Sequence, residues 1–181
     1  MVRIKLTGCE IRSWRRDDAN TIVRHADNRR IWRNLRDVFP HPYTLADAHA
    51  FLDLVIGQSP ETVFCIAMAD EAIGAVGLRP QEDVERYSAE VGYWLGEAYW
   101  GRGIMTEILP AFTEYAIRGL GFHRLFATPF AWNSASCRVL EKSGYTVEGR
   151  MRHSAWKDGQ FVDQLLYAFV ADDVKANQVK N

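Results

Sequence analysis

The sequence predicts an α/β (α+β) fold: a central, mostly antiparallel sheet of about seven strands flanked by about four helices. Three observations lead there. Amphipathic helical patterns come early and are followed by two β-rich runs, 62–69 and 72–79, in hairpin arrangement. A strand pattern at 88–95 passes through a glycine pair into a long apolar helical stripe. A short capped helix at 133–143 then ends on Gly144 before a last β-hairpin. With 181 residues, the chain has the size of one domain, expected to span 1–181 with its core at about 9–171.

Residues 9–14 read as the first strand, with Ile11 and Trp14 turned inward. Asp17 or Asp18 can cap a helix that runs to about Asn28, and 31–35 suit a further short turn. The F-P-H-P-Y stretch at 39–43 is not regular helix, because each proline lacks an N–H and restricts the residue before it. Thr44 caps the next helix, where Ala48, Phe51, Leu52, Val55 and Ile56 recur at helical spacing. Asp70 and Glu71 offer the hairpin turn; Gly74 and Gly77 mark weak points or bulges in the return strand. Ile104, Ile108, Phe112 and Ala116 share one face of the following helix, and Pro110 predicts a kink or local break in it. A fifth strand covers 123–131. The final hairpin pairs 147–156 with 161–170 across the Asp158-Gly159 turn signal.

Composition excludes several classes of function. A net charge of −1 supplies no basic field for collecting nucleic acid, and the Arg15-Arg16 and Arg29-Arg30 pairs have acids near them. Cys9, Cys65 and Cys137 stand far apart, with no spacing that suits a metal ion, so no metal is expected. An unpaired set of thiols fits a reducing compartment. No apolar run reaches the ~20 residues of a membrane span, and the first residues lack the apolar stretch of a secretory signal. The expected location is the cytoplasm, with neither nucleic acid nor membrane as partner.

The stretch Y-W-L-G-E-A-Y-W-G-R-G-I-M-T, residues 93–106, carries the most chemistry. A strand, a glycine loop and a helix start turn several N–H groups toward one point, where the macrodipole adds positive charge. Such a helix start suits an anion, most often phosphate. Gly101 and Gly103 let the backbone approach a bulky pyrophosphate, with Arg102, Ile104, Met105 and Thr106 completing the run of N–H donors. An ordinary strand-to-helix turn is the plainer reading.

Downstream, N-S-A-S-C-R-V-L-E-K-S-G-Y at 133–145 begins at Asn133 or Ser134 as helix cap. With A-E-V-G-Y-W-L at 89–95, Y-W-G-R-G-I-M-T-E at 99–107 and E-G-R-M-R at 148–152, the chain resembles the GNAT acetyltransferases. Among them it looks most like the RimJ/RimL-like branch of ribosomal-protein N-terminal acetyltransferases. The resemblance is strong over 87–170 and weak before 60. It implies a GNAT-like sheet that splays between the strands at 88–95 and 123–131, with the cofactor entering the gap.

The resemblance implies acetyl-CoA as co-substrate and direct transfer to a primary amine in a ternary complex. The backbone of Trp94 and Leu95 would pair with the pantetheine arm. Asn133 would bind the pantetheine or a water, and is otherwise simply a helix cap. Arg138 would face cofactor phosphate, or else pair with Glu141. Many family members carry a tyrosine seven residues after the motif asparagine as general acid toward the thiolate; here that residue is Leu140. Ser136 takes the role in RimL-like proteins, the alternative being a first-turn serine bonded to its own backbone. Glu90 is the candidate base through water, against a solvent-exposed strand-end glutamate. Ala98 and Ala155 stand where the family often has Gln or Arg and Glu, which leaves Glu90, His153 or solvent to take the proton.

Trp32, Phe39, His41 and Tyr43 occupy the region that shapes acceptor access in the family, or form core beneath the early helices. The branch suggests a protein or peptide N-terminal α-amine as acceptor. A small amine (a polyamine, an amino acid or an aminoglycoside) and a non-catalytic acyl-CoA-binding module are the alternatives. The family also allows a homodimer.

Overall fold

The computed structural model describes residues 2–172. They pack as two compact units, each assembled from two stretches of chain: residues 2–77 with 93–108, and residues 78–92 with 109–172.

In the first unit, β1 (Arg3–Lys5) and β2 (Glu10–Arg12) pair antiparallel, and β2 pairs with β3 (Val63–Met68). The strand expected at 9–14 is therefore shorter, and β1 is an addition whose three residues are too few to show periodicity. Ile11 and Trp14 are buried as expected. A 3₁₀ turn over Arg16–Asp18 leads into α1 (Ala19–Ala26). Asp18 does not cap α1 with its side chain. The carboxylate is held instead by Arg12, at 2.7 and 2.8 Å, and by the Arg15 N–H at 2.8 Å. Helix α2 (Arg29–Trp32) is capped by Asn28, whose side chain accepts from the Arg30 N–H. Thr44 caps α3 (Leu45–Val55) in a reciprocal box with Asp47. Trp14, Ile22, Ala26, Leu52 and Cys65 belong to the apolar core of this unit, with Phe51 edge-on to Trp14.

Strands β3 and β4 (Glu71–Pro80) form the expected hairpin. Its register slips between Ile66 and Ala67, so the irregularity falls beside Gly74. Strand β5 (Ser88–Leu95) and helix α4 (Ile104–Arg118) each run from one unit into the other. Ile104, Ile108, Phe112 and Ala116 are all buried. The helix is continuous through Pro110, so of the expected kink or local break the break is absent. Proline removes one N–H from the ladder, and the buried apolar stripe on both sides of it holds the helix together.

In the second unit, β6 (Arg124–Ala127) pairs in parallel with β5 from Ser88 to Glu90. The strand expected at 123–131 stops early because Pro129 cannot donate; Phe130 contributes an isolated bridge to Gln164. Since Ala127 is the last residue of β6, β5 continues to Leu95 beyond its parallel neighbour. Helix α5 (Ser134–Lys142) starts at Asn133 and ends before Gly144, whose φ is +85°. Strands β7 (Thr146–Lys157) and β8 (Gln160–Val170) make the last hairpin. Asp158 and Gly159 both have positive φ, +54° and +78°, which gives the hand that matches strand twist.

Eight strands thus form one mixed sheet in the order β1-β2-β3-β4-β5-β6-β8-β7, accompanied by five α-helices among the described residues. No helix among them is long and apolar enough to cross a membrane.

Candidate active site

The glycine loop of the first unit is tied down at every step. The Gly96 N–H donates to the Ile73 carbonyl at 2.8 Å as β5 ends. A 3₁₀ turn over Glu97–Tyr99 follows. The Glu97 carboxylate takes a 2.7 Å bond from Asn28 and pairs with Arg30. The Trp100 indole N–H donates to the Leu95 carbonyl at 2.7 Å, folding the turn back on the strand. Gly101 and Gly103 then adopt φ of +73° and +78°, values that exclude most side chains, and nothing lies within 4 Å of where a Cβ would stand at either. Helix α4 takes its first i→i−4 bond from the Glu107 N–H to the Gly103 carbonyl at 3.1 Å. The Thr106 N–H, expected to complete the run of donors, bonds the same carbonyl at 3.0 Å; the amides ahead of Thr106 are those a helix start leaves for an external acceptor.

Ile104 and Met105 bury their side chains, so what they offer at this point is backbone. Arg102 stacks its guanidinium over the Tyr99 ring at 5.5 Å, which places its charge beside the loop. The structure amends the expectation for Trp94. Its carbonyl lies against Gly74 of β4, and its ring packs edge-on to Phe39 at the core. By strand alternation, Tyr93 and Leu95 are the residues whose backbone groups face away from β4.

Of the four aromatic candidates for an acceptor pocket, Tyr43 is buried, Trp32 and Phe39 are half-buried and His41 is exposed. Tyr43 is buried in the core, its hydroxyl pushed up to about 12 by burial and by Asp47. Phe39 packs on it at 4.9 Å. Trp32 and His41 form a separate pair at 5.7 Å, outside that core. Core packing therefore claims Tyr43 and draws in Phe39.

In the second unit, Glu90 is only 9% exposed, not a solvated strand end. Its Oε1 accepts from the Thr128 hydroxyl at 2.8 Å, and its Oε2 pairs with Nη2 of Arg79 at 2.5 Å. Neither Arg79 nor Thr128 announces itself in sequence; only the adjacency of β4, β5 and the end of β6 brings them to Glu90. Asn133 caps α5, its Oδ1 accepting from the Ser136 N–H at 3.2 Å. Ser136 sits half-buried in the first turn, and Arg138 is exposed. Glu141 accepts from the Tyr167 hydroxyl at 2.8 Å. Cys137 is buried, which pushes its thiol up and away from the reactive thiolate. His153 stands exposed on β7 with φ +49°. No group of three or more His, Cys, Asp or Glu able to hold a metal occurs among the described residues.

A family model described as acetyltransferase (GNAT) domain matches residues 9–146. The protein named probable N-acetyltransferase YjcK, of Bacillus subtilis (strain 168), is 36% identical over 107 residues, 59% of each chain. The ribosomal-protein-serine acetyltransferase of Escherichia coli (strain K12) is 28% identical over 110 residues, 61% of each. The chain thus spans about six-tenths of the length of these curated relatives. Among solved structures, RimL, a ribosomal L7/L12 alpha-N-protein acetyltransferase in complex with coenzyme A, superposes with a TM-score of 0.84 at 22% identity. That match covers 94% of this chain and 99% of RimL. A GNAT-family acetyltransferase from Bacillus anthracis gives a TM-score of 0.82 at 20% identity, over 94% and 99% of the two chains.

Proposed function

Because the chain belongs to the acetyltransferase (GNAT) domain family, we propose that it transfers an acetyl group from acetyl-CoA to a primary amine, and that the acceptor is the α-amine of a protein or peptide. The single observation that carries the reading is the loop at 101–103. Two glycines at positive φ, with open space where side chains would stand, lead directly into a helix start. That shape fits the pyrophosphate of a CoA ester: N–H donors and the macrodipole favour the anion, and no Cβ obstructs its approach. Bound acetyl-CoA would supply the activated acetyl thioester.

The chain's own residues supply the rest. The amides of residues 102–105 hold the diphosphate, with the Arg102 charge alongside; the Thr106 N–H is taken by the Gly103 carbonyl at 3.0 Å. Leu95, on the edge facing away from β4, offers its N–H to the pantetheine arm, its carbonyl being held by Trp100. Glu90, fixed through both oxygens, is the carboxylate that takes a proton from the acceptor's ammonium, directly or through water, so that the neutral amine can attack the thioester carbonyl. Ser136 is the hydroxyl that passes a proton to the departing thiolate as the C–S bond breaks, and it regains one from the nitrogen that becomes the amide, directly or through water. Transfer is direct in a ternary complex, in keeping with a Cys137 buried and held as thiol. Positioning of the two reactants provides much of the rate. The name of the E. coli relative, a ribosomal-protein-serine acetyltransferase, supports a protein acceptor.

Calorimetric titration with acetyl-CoA tests the reading, followed by the same titration of Gly103→Trp. Saturable binding by the natural chain, abolished in the variant, is expected; absence of binding by the natural chain would overturn the reading. Acetylation of peptides bearing a free N-terminus, lost in Glu90→Gln while binding persists, separates an enzyme from an acyl-CoA-binding module.

A further inference from the structure

Glu90 is the end of a hydrogen-bonded line that crosses the second unit. The Thr128 hydroxyl donates to Glu90 Oε1 at 2.8 Å. The Thr128 carbonyl accepts from Gln164 Nε2 of β8 at 2.9 Å. The Ser154 hydroxyl of β7 lies 3.1 Å from both Gln164 Oε1 and the Met151 carbonyl, its one proton shared between them. The Thr128 carbonyl can only accept, so it fixes which end of the Gln164 amide is Nε2 and turns Oε1 toward Ser154.

The line is anchored by an irregularity in the last hairpin. Met151 pairs with Gln164 and Ala155 with Val162, so residues 152–154 all stand opposite Asp163. Asp163 gathers this bulge, accepting from the His153 N–H at 2.8 Å and from Arg150 Nε at 2.6 Å. His153 pays for the bulge with a positive φ, the kind of local strain that persists only where surrounding structure enforces it. On the other side, Thr128 is clamped to β8 through its neighbours. The Leu165 N–H donates to the Pro129 carbonyl at 3.0 Å, and the Ala131 N–H to the Asp163 carbonyl at 2.8 Å. Pro129 also restricts the Thr128 backbone to extended conformations. The hydroxyl that meets Glu90 is therefore placed by β8 and the bulge, not by the strand that carries Glu90.

We propose that Thr128 and Gln164 are positioning residues for the Glu90 carboxylate. Thr128 fixes the carboxylate rotamer and favours its charged form; Gln164 fixes Thr128; Ser154, in the bulge, fixes Gln164. Arg79 from β4 is the charged group on the other oxygen, and the Asp163, Arg150 and His153 cluster lies at the far end of the line. The proposal rests on the reading of Glu90 as proton acceptor.

Side-chain ¹³C NMR of the whole chain tests it, with the Glu90 signal identified by its loss in Glu90→Gln. Thr128→Val removes one charge-assisted hydrogen bond at constant shape, so the Glu90 titration midpoint should rise by about one pH unit. Thr128→Ser should restore the midpoint. Gln164→Leu, which leaves the hydroxyl in place but unguided, should move it in the same direction by less, and decides the matter if Thr128→Val does not fold. With acetyl-CoA and a free-N-terminus peptide, Thr128→Val should lower kcat about tenfold, leave the KM for acetyl-CoA unchanged, and carry the acid limb of the pH profile up with the midpoint. A folded Thr128→Val, or in its place Gln164→Leu, whose Glu90 midpoint does not move overturns the proposal. Wild-type turnover that survives Glu90→Gln would instead overturn the functional reading, while the NMR midpoints would still decide the positioning of Glu90.

Discussion

Gly74 offers a sharp test of how the glycine loop is held. A Cβ built there would stand 2.4 Å from the Trp94 carbonyl oxygen, 3.1 Å from the Leu95 Cα and 3.2 Å from a Leu95 methyl. Two of the three obstacles are backbone, so no rotamer change relieves them. Ordinary carbon–oxygen contacts lie near 3.3 Å or beyond, which means the end of β5 must retreat by roughly 1 Å in Gly74→Ala. The retreat stretches the bond from the Gly96 N–H to the Ile73 carbonyl, 2.8 Å in the native fold and the last tie before the loop. Overpacking of this kind costs about 1–3 kcal/mol, and a weakened hydrogen bond about 1 kcal/mol more. For a chain of this size the melting temperature should fall by about 4–16 °C. Affinity for acetyl-CoA should fall with it, because the turn over Glu97–Tyr99 hangs from the displaced residues. Gly92→Ala is the control: it lies on the same strand with nothing within 4 Å of its added methyl, and should change stability by no more than about 1 kcal/mol. Differential scanning fluorimetry and calorimetric titration read both quantities. Gly74→Ala melting within a degree of the natural chain, with unchanged affinity, would refute the reasoning.

Asp18→Asn should destabilise by about 3–5 kcal/mol, because Arg12, 3% exposed on its side chain, would keep a buried charge without its bidentate partner; urea denaturation measures it. Thr44→Ala should cost about 1 kcal/mol by removing the cap of α3, seen as a lower urea midpoint at constant slope. Glu71 sits below the usual carboxylate range because His25 hydrogen-bonds it, with Arg24 adding its charge. That stability is present above the unfolded carboxylate pKa and is lost as pH falls through the lower folded value. Glu71→Gln should therefore flatten the loss of stability between about pH 5 and pH 3, measured by thermal melts across that range.

Local signals were legible where one residue type does a local job. Thr44 before an apolar helix, Gly144 after one and Asp158-Gly159 between two strands each act through a few neighbouring dihedrals, and each appears where the sequence puts it. Asp18 shows where that logic stops. It has the chemistry of a cap, yet a buried arginine six residues earlier makes better use of both oxygens. Tyr43 shows the same for the site: an aromatic ring suits a pocket and a core equally, and burial chose the core.

The sequence by itself determined the family, the order of elements after β1 and the glycine loop, because these depend on periodicity and on residues with special backbone freedom. Only the tertiary structure decided the surroundings of Glu90. Arg79, Thr128 and Gln164 lie 11 to 74 residues from it and carry no motif; they meet because the sheet sets β4, β5, β6 and β8 side by side. What touches the two oxygens of Glu90 is set by strand adjacency, which no local pattern encodes.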